Sequence, residues 1–134
     1  MSVNPFSQTE SRDHESRGAA GRASHQVGTK LLFENDRVRV WEMTLAPGQS
    51  STRHAHESDY LFVYLTNSTL TLNQEGKPPE TNTESVGFVQ YTEVGPGIVH
   101  SVTNAGSGEH REILVELKGP SRAPAPREPE TNEA

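Results

Sequence analysis

The chain has 134 residues, no cysteine and a net charge of −6, enough for one domain with one modest core. Without thiols there is neither a disulfide nor a thiolate metal site, so a bound metal must be held by nitrogen and oxygen. The acidic balance argues against nucleic acid, which would want a basic stripe.

Residues 1–27 carry few large apolar side chains beyond Val3, Phe6 and Val27, too few to offset the entropy of ordering them, and predict a disordered arm. The opening MSVNPFSQTESRDHESRG lacks the apolar middle of a secretory signal, and no apolar run approaches the ~20 residues of a membrane span. A soluble, cytoplasmic protein is therefore expected. KLLFEN (30–35) and RVRVWEMTL (37–45) are β-prone runs divided by the turn signal Asn35-Asp36, and APGQ (46–49) closes that unit. DYLFVYLT (59–66) is apolar on both faces and predicts a central strand, with at least one of Phe62 and Val63 buried. TLTLNQE (69–75) alternates, and EGKPPETNTES (75–85) reads as a polar hairpin region. VGFVQYTE (86–93), IVHSVTN (98–104) and REILVELK (111–118) complete the strands. Pro120, Pro124, Pro126 and Pro129 mark 120–134 as a disordered tail, which leaves 28–119 as the folding unit. Many short strands without helices predict an all-β sandwich or barrel.

His14 and His25 fall in the N-terminal arm, and His110 in a polar turn; all three read as solvated residues. His54 and His56 differ, because residues i and i+2 of an extended segment share a face and can converge on one point. His100, just after a Gly-Pro-Gly turn, can enter the same cavity from another strand. Three imidazoles on two strands make a coherent metal site.

On these residues the chain resembles the cupins, over nearly all of 30–118. Gly48, five residues, then His54-Ala55-His56 match the opening of the first cupin motif. Gly97, His100 and Asn104 match the second, with Pro96 displaced by one place. The motif glutamate is missing: Tyr60 or Leu61 stands there, and Asn67 or Ser68 replaces the closing glycine, where Asn can adopt the same left-handed turn. The resemblance implies a single-domain double-stranded β-helix barrel that pairs as a homodimer. Cupins without the glutamate include three-histidine iron dioxygenases, and others have lost their metal.

Three neutral ligands leave a divalent ion at a formal +2, which suits an anionic chelating substrate such as an enolate, carboxylate or thiolate. The expectation is a mononuclear Fe²⁺ dioxygenase with His54, His56 and His100 as ligands and Tyr60 facing the ligand. Zn²⁺, Ni²⁺ or Mn²⁺ in a lyase, isomerase or cyclase, or a non-catalytic binding barrel, are the alternatives. Tyr60 is equally well read as a core aromatic. Glu57 should point off the shared face; Asp59 either orients a ligand histidine or ends a solvated loop. Asn104 should fix a turn, and Tyr64 and Tyr91 should belong to the barrel wall. The alternation of Arg39, Trp41 and Glu42, and of Arg111 and Glu116, leaves open which face looks inward.

Overall fold

The computed structural model describes residues 23–124. Nine antiparallel strands follow in order: β1 (Lys30–Glu34), β2 (Val38–Leu45), β3 (His54–His56), β4 (Asp59–Tyr64), β5 (Ser68–Gln74), β6 (Glu80–Glu84), β7 (Val89–Thr92), β8 (Ile98–Asn104) and β9 (His110–Leu117). They form a five-stranded sheet, β1-β2-β9-β4-β7, and a four-stranded sheet, β3-β8-β5-β6, the two halves of a barrel. No helix among the described residues is long and apolar enough to cross a membrane.

The all-β expectation holds, and β6 is the one strand that the polar composition of 75–85 concealed. Its threonines explain it. Thr81 and Thr83 pair with Thr71 and Thr69 of β5, each through a hydroxyl–hydroxyl hydrogen bond of 2.8 Å, so the ladder is stitched by β-branched polar side chains on an exposed edge. At the Asn35 turn, Oδ1 accepts from the backbone N–H of Arg37 and of Val38. Asn67 does not use the left-handed conformation, since no non-glycine described residue has a positive φ. It holds its turn by accepting the N–H of Val86 on its side-chain oxygen.

The inner face of the larger sheet carries Trp41, Met43, Leu45, Tyr60, Tyr64 and Leu114, all buried. Trp41, Tyr60 and Leu114 close the core at one end with Val94 and Val27. Val27 corrects the expected boundary at residue 28. It is 1 % exposed, Ser24 is bonded through its backbone to Arg53 and Ala55, and a Cβ on Gly28 would lie 2.6 Å from that of Trp41. One apolar side chain in a polar stretch suffices once the backbone around it is paired. The C-terminal boundary also moves. Asp59 accepts from the hydroxyl of Ser121 and the N–H of Arg122 at 2.6 Å each, so the fold continues past 119. The remainder of both expected tails, 1–22 and 125–134, lies outside the described residues, His14 among them.

The outer face of the same sheet is also apolar. Phe33, Val40, Val115, Leu61 and Tyr91 stand in one register line across all five strands, with Ile113, Val63 and Val89 in the line beside it. Phe33, Val89 and Tyr91 are about half exposed. Tyr91 is thus a wall residue on the outside, and Val63 faces outward while Phe62 faces the cavity.

Candidate metal centre and cavity

Strand alternation places His54 and His56 on one face of β3, and antiparallel pairing sets His100 of β8 directly opposite His54. The turn before β8 depends on Gly97, whose φ of 125° is open to glycine alone without strain. At the far end of β8, Asn104 is buried, donates to the carbonyls of Leu45 and Gly108, and accepts the N–H of Gly106. It fixes its turn as expected.

The three rings meet edge to face, with centroids 4.6–4.9 Å apart. His54 and His56 are 1 % exposed and His100 is 7 % exposed, and one nitrogen from each lies within 4.8 Å of the others. The His54 Nδ1–H donates to the carbonyl of Thr52 at 2.9 Å, which leaves Nε2 with a lone pair. Nδ1 of His56 and of His100 is buried with no hydrogen-bond partner. Burial, then the charge of neighbouring rings, holds His56 down at about 2 and His100 at about 3. Burial also lowers His54, against the raising effect of the Thr52 carbonyl. The cluster is thus three neutral bases with lone pairs at close quarters and two orphaned nitrogens. A divalent cation fits this donor set, and coordination would offset the cost of burying unpaired polar atoms.

Tyr60 is buried and stacks on His56, centroids 4.0 Å apart at 17°. Burial pushes its phenol up to about 12, and its hydroxyl is hydrogen-bonded to Thr92. Glu57 points away as expected, with its side chain 69 % exposed and His25 Nδ1 3.9 Å away. Asp59 is neither of the things expected of it. It is buried and, besides Ser121 and Arg122, accepts the N–H of Val94, pinning the C-terminal segment instead of a histidine. Burial raises its carboxyl, but these three donors lower it more, and it ends below the usual range. The triad and Tyr60 open onto a cavity of about 300 Å³ whose far wall is Phe62, Tyr64, Leu70, Leu72 and Phe88. Glu80 and Glu84 also line it, and among the described residues no lysine or arginine does.

The family model described as "Auxin binding protein" matches residues 4–125. The chain belongs to the auxin-binding protein family. As a member of this family it is 28% identical over 110 residues to auxin-binding protein T85 of Nicotiana tabacum, covering 79% of this chain but 59% of that protein. The chain therefore spans about three fifths of the tobacco protein's length. It is 33% identical over 96 residues to the β-alanine degradation protein BauB of Pseudomonas aeruginosa, covering 69% of this chain and 95% of that one. A cupin domain from Bordetella pertussis superposes with a TM-score of 0.61 at 26% identity, over 73% of this chain and 98% of that chain. A cupin conserved-barrel protein from Salinispora arenicola does so at 0.53 and 22%, over 75% and 83%. The fold of this auxin-binding-family protein is a small cupin, a double-stranded β-helix.

The sequence reading missed a second polar group in this family member's barrel. His110 is not a solvated turn residue. It opens β9 fully buried, with Nδ1 2.7 Å from the Ser68 hydroxyl and Nε2 2.7 Å from Glu112 Oε1. Glu112 lines the cavity, and burial raises its carboxyl against the lowering effect of His110. The available signal was the period-2 row His110, Glu112, Leu114, Glu116, which shares one face of the strand.

The low histidines predict how the metal-free protein responds to acid. Unfolded imidazoles take up protons near pH 6.5, whereas His56 and His100 refuse them until about 2 and about 3. Between those limits the unfolded chain binds more protons, so stability is full above pH 6.5 and falls as the pH falls, by about 1.4 kcal/mol per ring per pH unit. Glu112, whose carboxyl is raised above 4.5, acts in the opposite sense above that pH. The melting temperature of metal-free protein should drop from pH 7.5 to pH 5, and His56→Ala should flatten the drop. An unchanged slope in that variant would contradict the burial of these rings.

Proposed function

We propose that this protein is a metal-dependent small-molecule enzyme, a mononuclear iron(II) dioxygenase whose substrate binds as an anionic chelator. The observation that carries the reading is the buried cluster of His54, His56 and His100 with two nitrogens lacking hydrogen-bond partners. Three neutral ligands leave a bound ion its full charge, and among the described residues no lysine or arginine lines the cavity to share in holding an anion. Bound iron would supply the activation of dioxygen beside a chelated substrate. The chain's own residues do the rest. Phe62, Leu70, Leu72 and Phe88 hold an apolar body and exclude water, and Tyr60, kept as a neutral phenol, is a donor that positions the ligand beside His56. The names of the relatives, one binding auxin and one degrading β-alanine, support a small organic ligand.

The test is elemental analysis of protein expressed with iron, zinc, nickel and manganese, followed by oxygen uptake with small diketones, hydroxy acids and thiol acids. Near-stoichiometric iron with substrate-dependent uptake supports the dioxygenase. Tightly held zinc or nickel without uptake replaces it with Lewis-acid chemistry in a lyase, isomerase or cyclase. Metal well below one per chain under every condition leaves a binding barrel.

The proposal includes a homodimer through the outer face of the five-stranded sheet. The line Phe33–Val40–Val115–Leu61–Tyr91 is an apolar stripe on a sheet face, and a second copy offers the same stripe about a two-fold axis. Sedimentation should give a dimer for the parent and a monomer for Val115→Glu. A monomeric parent at micromolar concentration refutes the pairing.

A further inference from the structure

Four polar side chains run in a line from the cavity to the barrel's end. Glu112 Oε1 lies 2.7 Å from His110 Nε2, His110 Nδ1 lies 2.7 Å from Ser68 Oγ, and Ser68 Oγ lies 2.9 Å from Thr66 Oγ1. Glu112, His110 and Ser68 are buried and Thr66 is half-exposed. Tyr64 packs edge-on against His110, centroids 4.8 Å apart, and seals the line laterally. The titratable groups around Glu112 are His110 on its own strand, Tyr60 and Tyr64 on β4, and Glu84 of β6 on the cavity wall. Each link of the line is a hydrogen bond between groups whose protons can be exchanged along it. A purely structural core would use apolar residues here at less cost.

The acids at the cavity add a second constraint. Glu80 and Glu84 repel a preformed anion on its way to the histidines, and among the described residues no lysine or arginine lines the cavity to offset them. A ligand that chelates as an anion therefore enters as its neutral acid and must lose a proton inside. We propose that Glu112 is the base that takes this proton, and that His110, Ser68 and Thr66 carry a proton on to solvent. The ligand's proton goes to Oε2 of Glu112 while the proton on Oε1 passes to Nε2 of His110. The proton on Nδ1 passes to Ser68, that of Ser68 to Thr66, and that of Thr66 to water. The ligand becomes an anion, one proton reaches solvent and the protein's charge is unchanged. Rotation of the carboxyl and hydroxyl groups, together with a turn of the His110 ring that returns its N–H to the Ser68 side, resets the line.

This rests on the metal reading above, and the test separates the two. Zinc-loaded protein, which is redox-silent, is mixed with acetohydroxamic acid, a neutral chelator that binds as its anion, and proton release is followed with an indicator dye. Zinc content is measured for every variant. The parent should release one proton per bound chelator. Glu112→Gln and Ser68→Ala should keep their zinc and release the proton about a hundredfold more slowly or worse, the low end for a positioned base. Ser68 does not line the cavity, so Ser68→Ala carries the test if Glu112→Gln does not fold. Zinc retained with release unchanged in both variants overturns the relay alone. A parent that takes no zinc, or binds the chelator without releasing a proton, overturns the relay together with the metal reading.

Discussion

His54→Ala, His56→Ala and His100→Ala should each strip bound divalent metal while leaving the β-rich circular dichroism spectrum in place. Each substitution removes one of three nitrogens that lie within 4.8 Å of one another. Changing a mere outer partner of a ligand costs metal affinity 10–100-fold, so losing a ligand should cost about 100-fold or more. The choice of controls follows from the structure. His25 and Glu57 are exposed, and His25→Ala and Glu57→Gln should keep their metal. His110 is unsuitable, because its burial between Ser68 and Glu112 makes His110→Ala a core lesion. Dialysis against chelator followed by elemental analysis gives the reading. If Glu57→Gln empties the site while His100→Ala does not, a carboxylate is the third ligand, and the argument from a +2 ion fails with it.

Trp41→Ala is expected to be the most damaging single core change, at about 4 kcal/mol, within the range for truncating a buried aromatic. The side chain is 2 % exposed and packs with Val27, Tyr60, Val94 and Leu114. Its indole N–H donates to Glu116 Oε1 at 2.9 Å, and Glu116 is itself buried, with Arg39 at 3.2 Å. Truncation opens a cavity and leaves Glu116 with one donor fewer in a place water does not reach. Trp41→Phe keeps most of the apolar bulk and loses only the donor, so it should cost about 1–2 kcal/mol. Urea unfolding monitored by circular dichroism separates the two. Equal midpoints for Trp41→Ala and the parent would mean that residues 24–28 do not close over this end of the barrel.

Local pattern determined most of the strands and the histidine cluster, because both depend on alternation and short spacing. His54 and His56 share a face by the geometry of any extended chain, and Gly97, Pro96 and His100 announce a turn followed by an inward side chain. What the pattern left open was which face of each strand looks inward. In REILVELK the row Ile113, Val115, Leu117 is aliphatic and the row Glu112, Leu114, Glu116 is mixed, and alternation does not say which looks inward. The barrel turns the mixed row inward. Its interior holds the cavity and, beside it, buried acids that find partners in His110, Trp41 and Arg39. Its outer sheet face keeps an apolar row. These buried polar side chains are held by hydrogen bonds from parts of the chain that stand far off in sequence: Ser68 for His110, Trp41 for Glu116, Ser121 for Asp59. The same holds for Val27, a lone apolar residue with no periodic neighbours, which becomes core because Trp41 and Tyr60 are folded against it. Alternation fixes which residues share a side of a strand, and only the closed barrel decides which side is inside.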